Sequence, residues 1–538
     1  MKANAPGNAG DMLTTRDFNG KELQVNFQME GRREMDVQSM RANQRDAVDW
    51  AQVDWGQVKH QVESAQQKIF RDTQAGNFKE VKHRQKLLAG SLAARLWAVR
   101  LVCEVNRGKN TPGIDGCLYT TGEQKVALAE SLTFKGYISR PVRIVFIPKP
   151  TGGKRRLGIP TLRDRAMQAL VLLAMNPEWE AKFEPNSFGF RPGRSTIDAV
   201  SHITRVLLGR KGAKPHPGWV LDADISKCFD TIDHEALLAK IGGSPFQGII
   251  RSWLKSGAVG PVGFELTEKG TPQGGVISPL LANIALDGLE RQFGIFSRNG
   301  VYINPSKRAG LNRLIAVYRY ADDFIVLAPS REVVVNYIIP MVKAFLATVG
   351  LSLSEAKTRV VNVSEGFDFL GFTFRRFYQR NGNIRKFTYF PSRERLDRFM
   401  SKLRMYVNLN VTIDVVELIA GVNRRVIGAC NYYKWSNAHD AFGYLTFRLW
   451  ELMWQWAKKR HPKRGSKWIR DRYWKAVGGS KWVFSFHGST VVQPYTLTVQ
   501  WWKRPMARIL TSPFDAKEAD YWARRRKRWN EDESGSLM

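Results

Sequence analysis

The chain has 538 residues, enough for several domains, and carries 83 Lys and Arg against 49 Asp and Glu, a net charge of +34. That excess goes beyond what solubility requires and points to a polyanionic partner, most simply nucleic acid, and the 17 Trp suit base stacking as well as core packing. Cys103, Cys117, Cys228 and Cys430 lie far apart without a C-x-x-C, which excludes a disulfide scaffold or zinc finger; no signal-type apolar run or stretch of about 18 apolar residues occurs, so the sequence predicts no membrane partner and a cytoplasmic, bacterial setting.

Residues 1–48 are polar and lack an apolar period, which predicts a flexible arm. Helical spacing begins in "VDWAQVDWGQVKHQVESAQQKIF" and continues through "QKLLAGSLAARLWAVRLVCEV" to the Gly-Pro-rich loop "NRGKNTPGIDG". "RPVRIVFIPKPTGGKRRLGIP" predicts a β-hairpin around a Gly-Gly turn crowded by Lys149, Lys154, Arg155 and Arg156. A helix follows in "RDRAMQALVLLAMNPEWEAKF", then the loop "SFGFRPGRS", then a strand in "GWVLDADISKCFD" and a helix that Asp233 caps. Strands alternate with helices to about residue 375, as in a mixed catalytic domain. Beyond that, "FGYLTFRLWELMWQWAKKR" predicts a buried helix, and "KKRHPKRGSKWIRDRYWK" places nine Lys or Arg among Trp468, Tyr473 and Trp474, with Asp471 the one acid.

The adjacent acids Asp322 and Asp323 in "YRYADDFIVLA" have two readings: hairpin-turn chemistry, or hard oxygen ligands for a divalent ion at a strand end. The second needs another carboxylate, and Asp224 ends the apolar strand of "WVLDADISKCFD". If the two strands pair, Asp224 and Asp322 face each other with Asp323 beside them, able to hold two ions for phosphoryl transfer, while Lys149 and Arg155 hold a triphosphate.

The ordered set "NRGKNTPGIDG", "IPKPTGGKRRLGIPTLRDRAMQ", "SFGFRPGRS", "DADISKCFDTIDH", "GTPQGGVISPLLANI", "RYADDFIV", "GLSLSEAKTRV", "GFDFLGF", "GACNYYKW" and "KRHPKRGSKWIRDRYW" resembles the group II intron-encoded reverse transcriptases, or maturases, from about Trp50 to residue 515. The resemblance implies an α+β right-hand polymerase with fingers, palm and helical thumb after an N-terminal helical extension. The implied partition is arm 1–48, extension 49–130, fingers and palm 131–385, thumb or maturase domain 386–480, and a basic DNA-binding-like tail 481–538. It implies RNA-directed DNA synthesis plus assistance to intron splicing and mobility, with intron or template RNA, DNA primer, target DNA and dNTPs as partners. The alternatives are a stand-alone enzyme in repair or defence, or a splicing factor keeping only RNA binding.

The resemblance makes Asp224, Asp322 and Asp323 the catalytic triad for two Mg²⁺ ions, with Mn²⁺ able to substitute. Lys149, Arg155, Phe229, Gln273 and Gly274 would form the nucleotide pocket, Phe229 lying under the sugar; a core role for Phe229 is the other reading. Arg191, Lys357, Arg460, Lys463, Arg464, Lys467 and Trp468 would contact nucleic acid, although Lys357 also reads as a helix-surface lysine. The chain departs from many relatives in having no cysteine after Cys430, so the sequence predicts no zinc-stabilised HNH nuclease.

Overall fold

The computed structural model describes residues 14–16, 22–24, 48–148, 152–208, 217–295, 301–304, 307–308, 310–380, 384–501 and 506–534. The predicted arm lies mostly outside these. What is described there is a two-stranded antiparallel ladder, β1 (Thr14–Arg16) with β2 (Glu22–Gln24), in a unit of its own spanning Met1–Asp49. Among the described residues no helix is long and apolar enough to cross a membrane.

The second unit, Trp50–Met538, opens with helices Trp55–Gln74, Phe78–Gly90, Leu92–Arg100 and Gly122–Ser131. The starts of the first, third and fourth follow from side-chain capping. Asp54 accepts from the Gln57 amide, Ser91 from Ala94, and Thr121 with Gln124 closes a reciprocal capping box. The hairpin read around the Gly-Gly turn forms as β3 (Val142–Pro148) and β4 (Lys154–Ile159), joined by β6 (Ala258–Gly260) and β7 (Gly263–Glu265) in the order β4-β3-β6-β7.

The central sheet runs β10-β5-β9-β8, with β5 Trp219–Asp224, β8 Ala316–Tyr320, β9 Asp323–Ala328 and β10 Arg359–Asn362, and every pairing in it is antiparallel. In β9 every residue after Asp323 is buried, because both faces of this central strand are covered. Beyond it lie β11 (Phe367–Phe369), β12 (Phe372–Tyr378) and β13 (Ile384–Pro391), a three-stranded sheet. Three long helices follow: Arg393–Leu409, Val415–Tyr433 and His439–Arg460. Their apolar faces merge with helix Thr196–Leu208 and the central sheet in one core that includes Phe188, Ile325, Phe372, Leu418 and Trp456. The last of the three helices buries one face, not its whole circumference: Phe447 is exposed.

The C-terminal region departs from the expected tail. β14 (Trp474–Val477), β15 (Ser480–Phe486) and β16 (Ser489–Thr490) form a sheet on the helical region. Helix Ala519–Ser534 returns to helix Thr196–Leu208: the Arg525 guanidinium donates to both oxygens of buried Asp198 at 2.7 and 2.6 Å. The Ala507 amide also donates to Asp198, the His202 ring bonds the Ala507 carbonyl, and Trp522 is buried. A buried carboxylate demands donors, and the C-terminal segment supplies them.

Candidate active site at the end of the central sheet

β5 and β9 run antiparallel in a register that places Asp224 directly across from Asp323, while Asp322 sits in the β8–β9 turn. The expected pairing is therefore shifted by one residue: Asp323, not Asp322, is the cross-strand partner. The turn needs Ala321 at φ 60°, an uncommon conformation for a residue with a Cβ.

It is held from beneath by the "SFGF" loop. Arg319 N donates to Asn186 O and Phe188 N to Arg319 O, both at 2.9 Å. A Cβ on Gly189 would lie 2.3 Å from the Ala321 nitrogen, so only glycine fits. Arg319 is buried and donates to Asn283 Oδ1 and to Ala321 O at 2.9 and 3.1 Å, tying its own turn to helix Ser278–Leu286.

The carboxylates perturb one another. Burial, then the Asp224 charge, raises Asp322 above the ordinary carboxylate range. Asp323 opens to solvent but lies in a cleft; burial first, then Asp322, Asp224 and Asp222, push it up to about 7. Asp222, two residues before Asp224 and so on the same face of β5, rises to about 6, chiefly through burial. Sequence reasoning passed over Asp222; the "DAD" spacing was its available signal.

Among the described residues no three acidic, imidazole or thiol groups already converge into a preformed ion site. The positive charge comes from the chain itself: Lys357 Nζ bonds Asp224 Oδ2, and that bond raises the lysine above its ordinary range. Lys357 lies in a turn, so the helix-surface reading does not describe it. The donor set still suits a hard divalent cation. It consists of carboxylate oxygens at one end of the sheet, and an ammonium ion already stands against one of them.

Around this centre the expected pocket residues gather in part. Lys149 lies outside the described residues. Arg155 is exposed on β4, and its charge reaches Asp322, partly offsetting the upward shift there. Phe229 is half-buried, its ring edge-on to exposed Phe190 at 6.3 Å, so it is not a core residue. A cavity of about 80 Å³ beside it is lined by Phe229, Asp230, Arg156, Thr271 and Gln273. Gly274 adopts φ 144°, and a Cβ there would lie 2.6 Å from Gly158 O.

One of the expected nucleic-acid contacts, Arg191, faces inward, and another, Arg460, is half-buried. Arg191 is buried and bidentate to Glu180 at 2.8 and 2.9 Å, its remaining nitrogen donating to Glu184 O and Ser187 O. Arg460 donates to Val411 O and Ile413 O at 2.9 and 2.5 Å. The buried Arg191 guanidinium is fully occupied by these oxygens, whereas half-buried Arg460 commits one nitrogen to carbonyls. Lys463, Arg464 and Lys467 are exposed. Trp468 is half-buried with Arg464 and Arg472 each 5.2 Å from its ring, so it holds cations at the surface and is not an open stacking platform. Trp482 on β15, which sequence reasoning did not single out, is the exposed aromatic nearby in the chain.

Comparison with known proteins agrees with the order of these parts. The family described as reverse transcriptase (RNA-dependent DNA polymerase) matches residues 147–374, the N-terminal domain of reverse transcriptase matches 50–132, and the group II intron maturase-specific domain matches 396–474. Protein YkfC of Escherichia coli K12 is 32% identical over 324 residues, covering 55% of this chain and 84% of the relative. Group II intron-encoded protein LtrA of Lactococcus lactis is 28% identical over 421 residues, 64% of this chain and 69% of the relative. An uncharacterized 91 kDa protein in the cob intron of Schizosaccharomyces pombe is 28% identical, covering 59% and 46%.

Proposed function

The chain belongs to the group II intron-encoded reverse transcriptases, an RNA-directed DNA polymerase with a maturase domain, and from that premise we propose which of its residues do the work. Asp224, Asp322 and Asp323 are the catalytic carboxylates. The observation that carries this is their meeting at one end of the central sheet from strands nearly a hundred residues apart, with Asp322 and Asp323 both held above the ordinary carboxylate range.

Enzymes of this family work with divalent metal ions, and here the three carboxylates would hold Mg²⁺, two ions in all, with Mn²⁺ able to substitute. The bound ions would supply Lewis acidity for displacement at the incoming nucleotide's phosphate. The protein supplies position. Arg155 attracts the triphosphate electrostatically, with Lys149 assigned the same role. Gly274 lets backbone approach the nucleotide closely, and Phe229 lies against its sugar. Lys357 leaves Asp224 when the site fills and is then free to meet phosphate.

RNA and DNA are the partners that the matched domains imply. We assign the maturase role to the helical region, with Lys463, Arg464, Lys467 and the Trp468-held guanidiniums as its RNA-facing surface. The specific partners are the intron RNA, a DNA primer and target DNA. We place the fingers and palm at 131–385, the thumb at 386–480 and the extension at 49–130. The helix Ala519–Ser534 is a brace against the palm that keeps Arg524 and Arg526 at the surface.

The test is primer extension on an RNA template with Mg²⁺. Asp322→Ala abolishes extension while leaving the fold and RNA binding intact. Near-normal extension by a correctly folded Asp322→Ala protein would overturn the assignment.

A further inference from the structure

The loop that carries Gln273 is bolted to the turn that carries Phe229. Lys269 pairs with Asp233 through the backbone as an isolated antiparallel β-bridge, Gly270 N donates to Ile232 O at 2.7 Å, and Thr271 N donates to Phe229 O at 2.6 Å. Gly270 adopts φ 83°, and a Cβ on it would lie 2.6 Å from Phe229 O; the His234 ring bonds the Gly270 carbonyl at 2.7 Å. On the other side, Gly158 N of β4 donates to Gln273 O at 3.2 Å. The backbone of this loop is thus fixed from both the β4 side and the Phe229 side. What remains free at Gln273 is its side chain.

Among the described residues that side chain has one hydrogen-bond partner: Gln273 Nε2 donates to Asp230 Oδ1 at 3.2 Å. A carboxylate accepts and does not donate, so it must take the NH₂ end of the amide, and the flip of Gln273 is decided by chemistry. Its carbonyl oxygen is left as the acceptor for whatever enters the cavity that Gln273, Phe229 and Asp230 line. An acceptor beside an aromatic ring suits a sugar hydroxyl, whereas an NH₂ group presented there would not accept from it.

We infer that Asp230 is a positioning residue for nucleotide binding: its carboxylate holds the Gln273 amide with the oxygen presented to the sugar of the incoming nucleotide. Asp230 is exposed, so replacing it leaves the core untouched. The inference rests on the nucleotide pocket proposed above and deepens it.

The test is single-nucleotide extension kinetics on an RNA template for wild type, Asp230→Ala, Asp230→Asn, Gln273→Ala and the Asp230→Ala/Gln273→Ala double variant. Asp230→Ala raises KM for the dNTP by about tenfold, the worth of one hydrogen bond to a charged group, with kcat little changed. Gln273→Ala raises KM similarly, and the double variant is no worse than Gln273→Ala, because Asp230 acts only through Gln273. Asp230→Asn keeps an acceptor oxygen and returns KM to within about threefold of wild type. Additive losses in the double variant, an unchanged KM in Asp230→Ala, or an Asp230→Asn variant as impaired as Asp230→Ala each overturn the inference. Asp322→Ala run alongside separates the two levels. If wild type extends and Asp322→Ala is silent, a negative result at Asp230 strikes this inference alone; if Asp322→Ala still extends, both fall.

Discussion

Lys357 Nζ rests on the carboxylate of Asp224 at the end of the sheet where Asp322 and Asp323 also lie, so the site carries its own counter-cation. Filling the site with a divalent ion means breaking that pair. The lysine is largely exposed, which limits the pair to about 0.2–1 kcal/mol. Lys357→Met is therefore expected to tighten divalent-ion binding by a few-fold at most, measured as the midpoint of a Mg²⁺-dependent rise in Tm. A weaker midpoint would show that Lys357 assists ion binding.

If Asp323 holds an ion as proposed, ion binding depends on pH, and neighbouring Asp222 titrates in the same range. Asp323 is raised to about 7 and Asp222 to about 6. For a carboxyl raised in the folded state, the protonated form is favoured there. Its contribution to stability is fully present at low pH and is lost as pH climbs through the raised value. Between pH 6 and 8 the ion-free site therefore loses stability while its affinity for a cation grows. The Mg²⁺-induced gain in Tm is expected to increase from pH 6 to pH 8. A gain independent of pH would mean that Asp323 is not a ligand.

Phe229→Ala separates sugar recognition from packing. The ring is half-buried, so its removal costs about 1–2 kcal/mol and not the loss expected of a core Phe. If it excludes the 2′-hydroxyl, rNTP incorporation relative to dNTP rises in single-nucleotide extension. Unchanged selectivity with a lower Tm would leave the ring a packing role only.

Gly189→Ala probes the support of the aspartate turn. The added methyl meets the backbone nitrogen of Ala321 at 2.3 Å, and a backbone atom cannot swing aside as a flexible side chain would, so the turn must move. The expected outcome is a stability loss of roughly 1–3 kcal/mol with a much larger fractional loss of extension, because a small misplacement of Asp322 is costly to phosphoryl transfer. Equal, parallel losses of folded fraction and activity would point to global destabilisation alone.

The basic residues of the maturase region divide by their partners. Neutralising Lys463, Arg464 and Lys467 together is expected to reduce the slope of log affinity for RNA against log salt by about 2, given roughly 0.7 per phosphate contact on a single strand. Arg460→Ala is expected to leave that slope unchanged and to lower Tm, since its guanidinium serves Val411 and Ile413 carbonyls. Arg525→Ala, which strips the bidentate donor from buried Asp198, is expected to cost about 3 kcal/mol by chemical denaturation.

The sequence by itself determined most of the elements and pointed to the three carboxylates proposed as catalytic. The hairpin around Gly152–Gly153, the helix start at Asp233 and the strand ends bearing Asp224 and Asp323 all follow from periodicity, turn residues and caps, which are short-range properties. Tertiary structure decided the rest. A run of arginines reads alike whether it faces RNA or a buried carboxylate. Arg191 answers to Glu180, eleven residues away, and Arg525 to Asp198, 327 away. Likewise Lys357 meets Asp224 across 133 residues, and Gln273 meets Asp230 across 43. A charge goes inward where the fold presents an oxygen that would otherwise be buried without a donor. That pairing is a property of distant segments brought together, so no local pattern announces it.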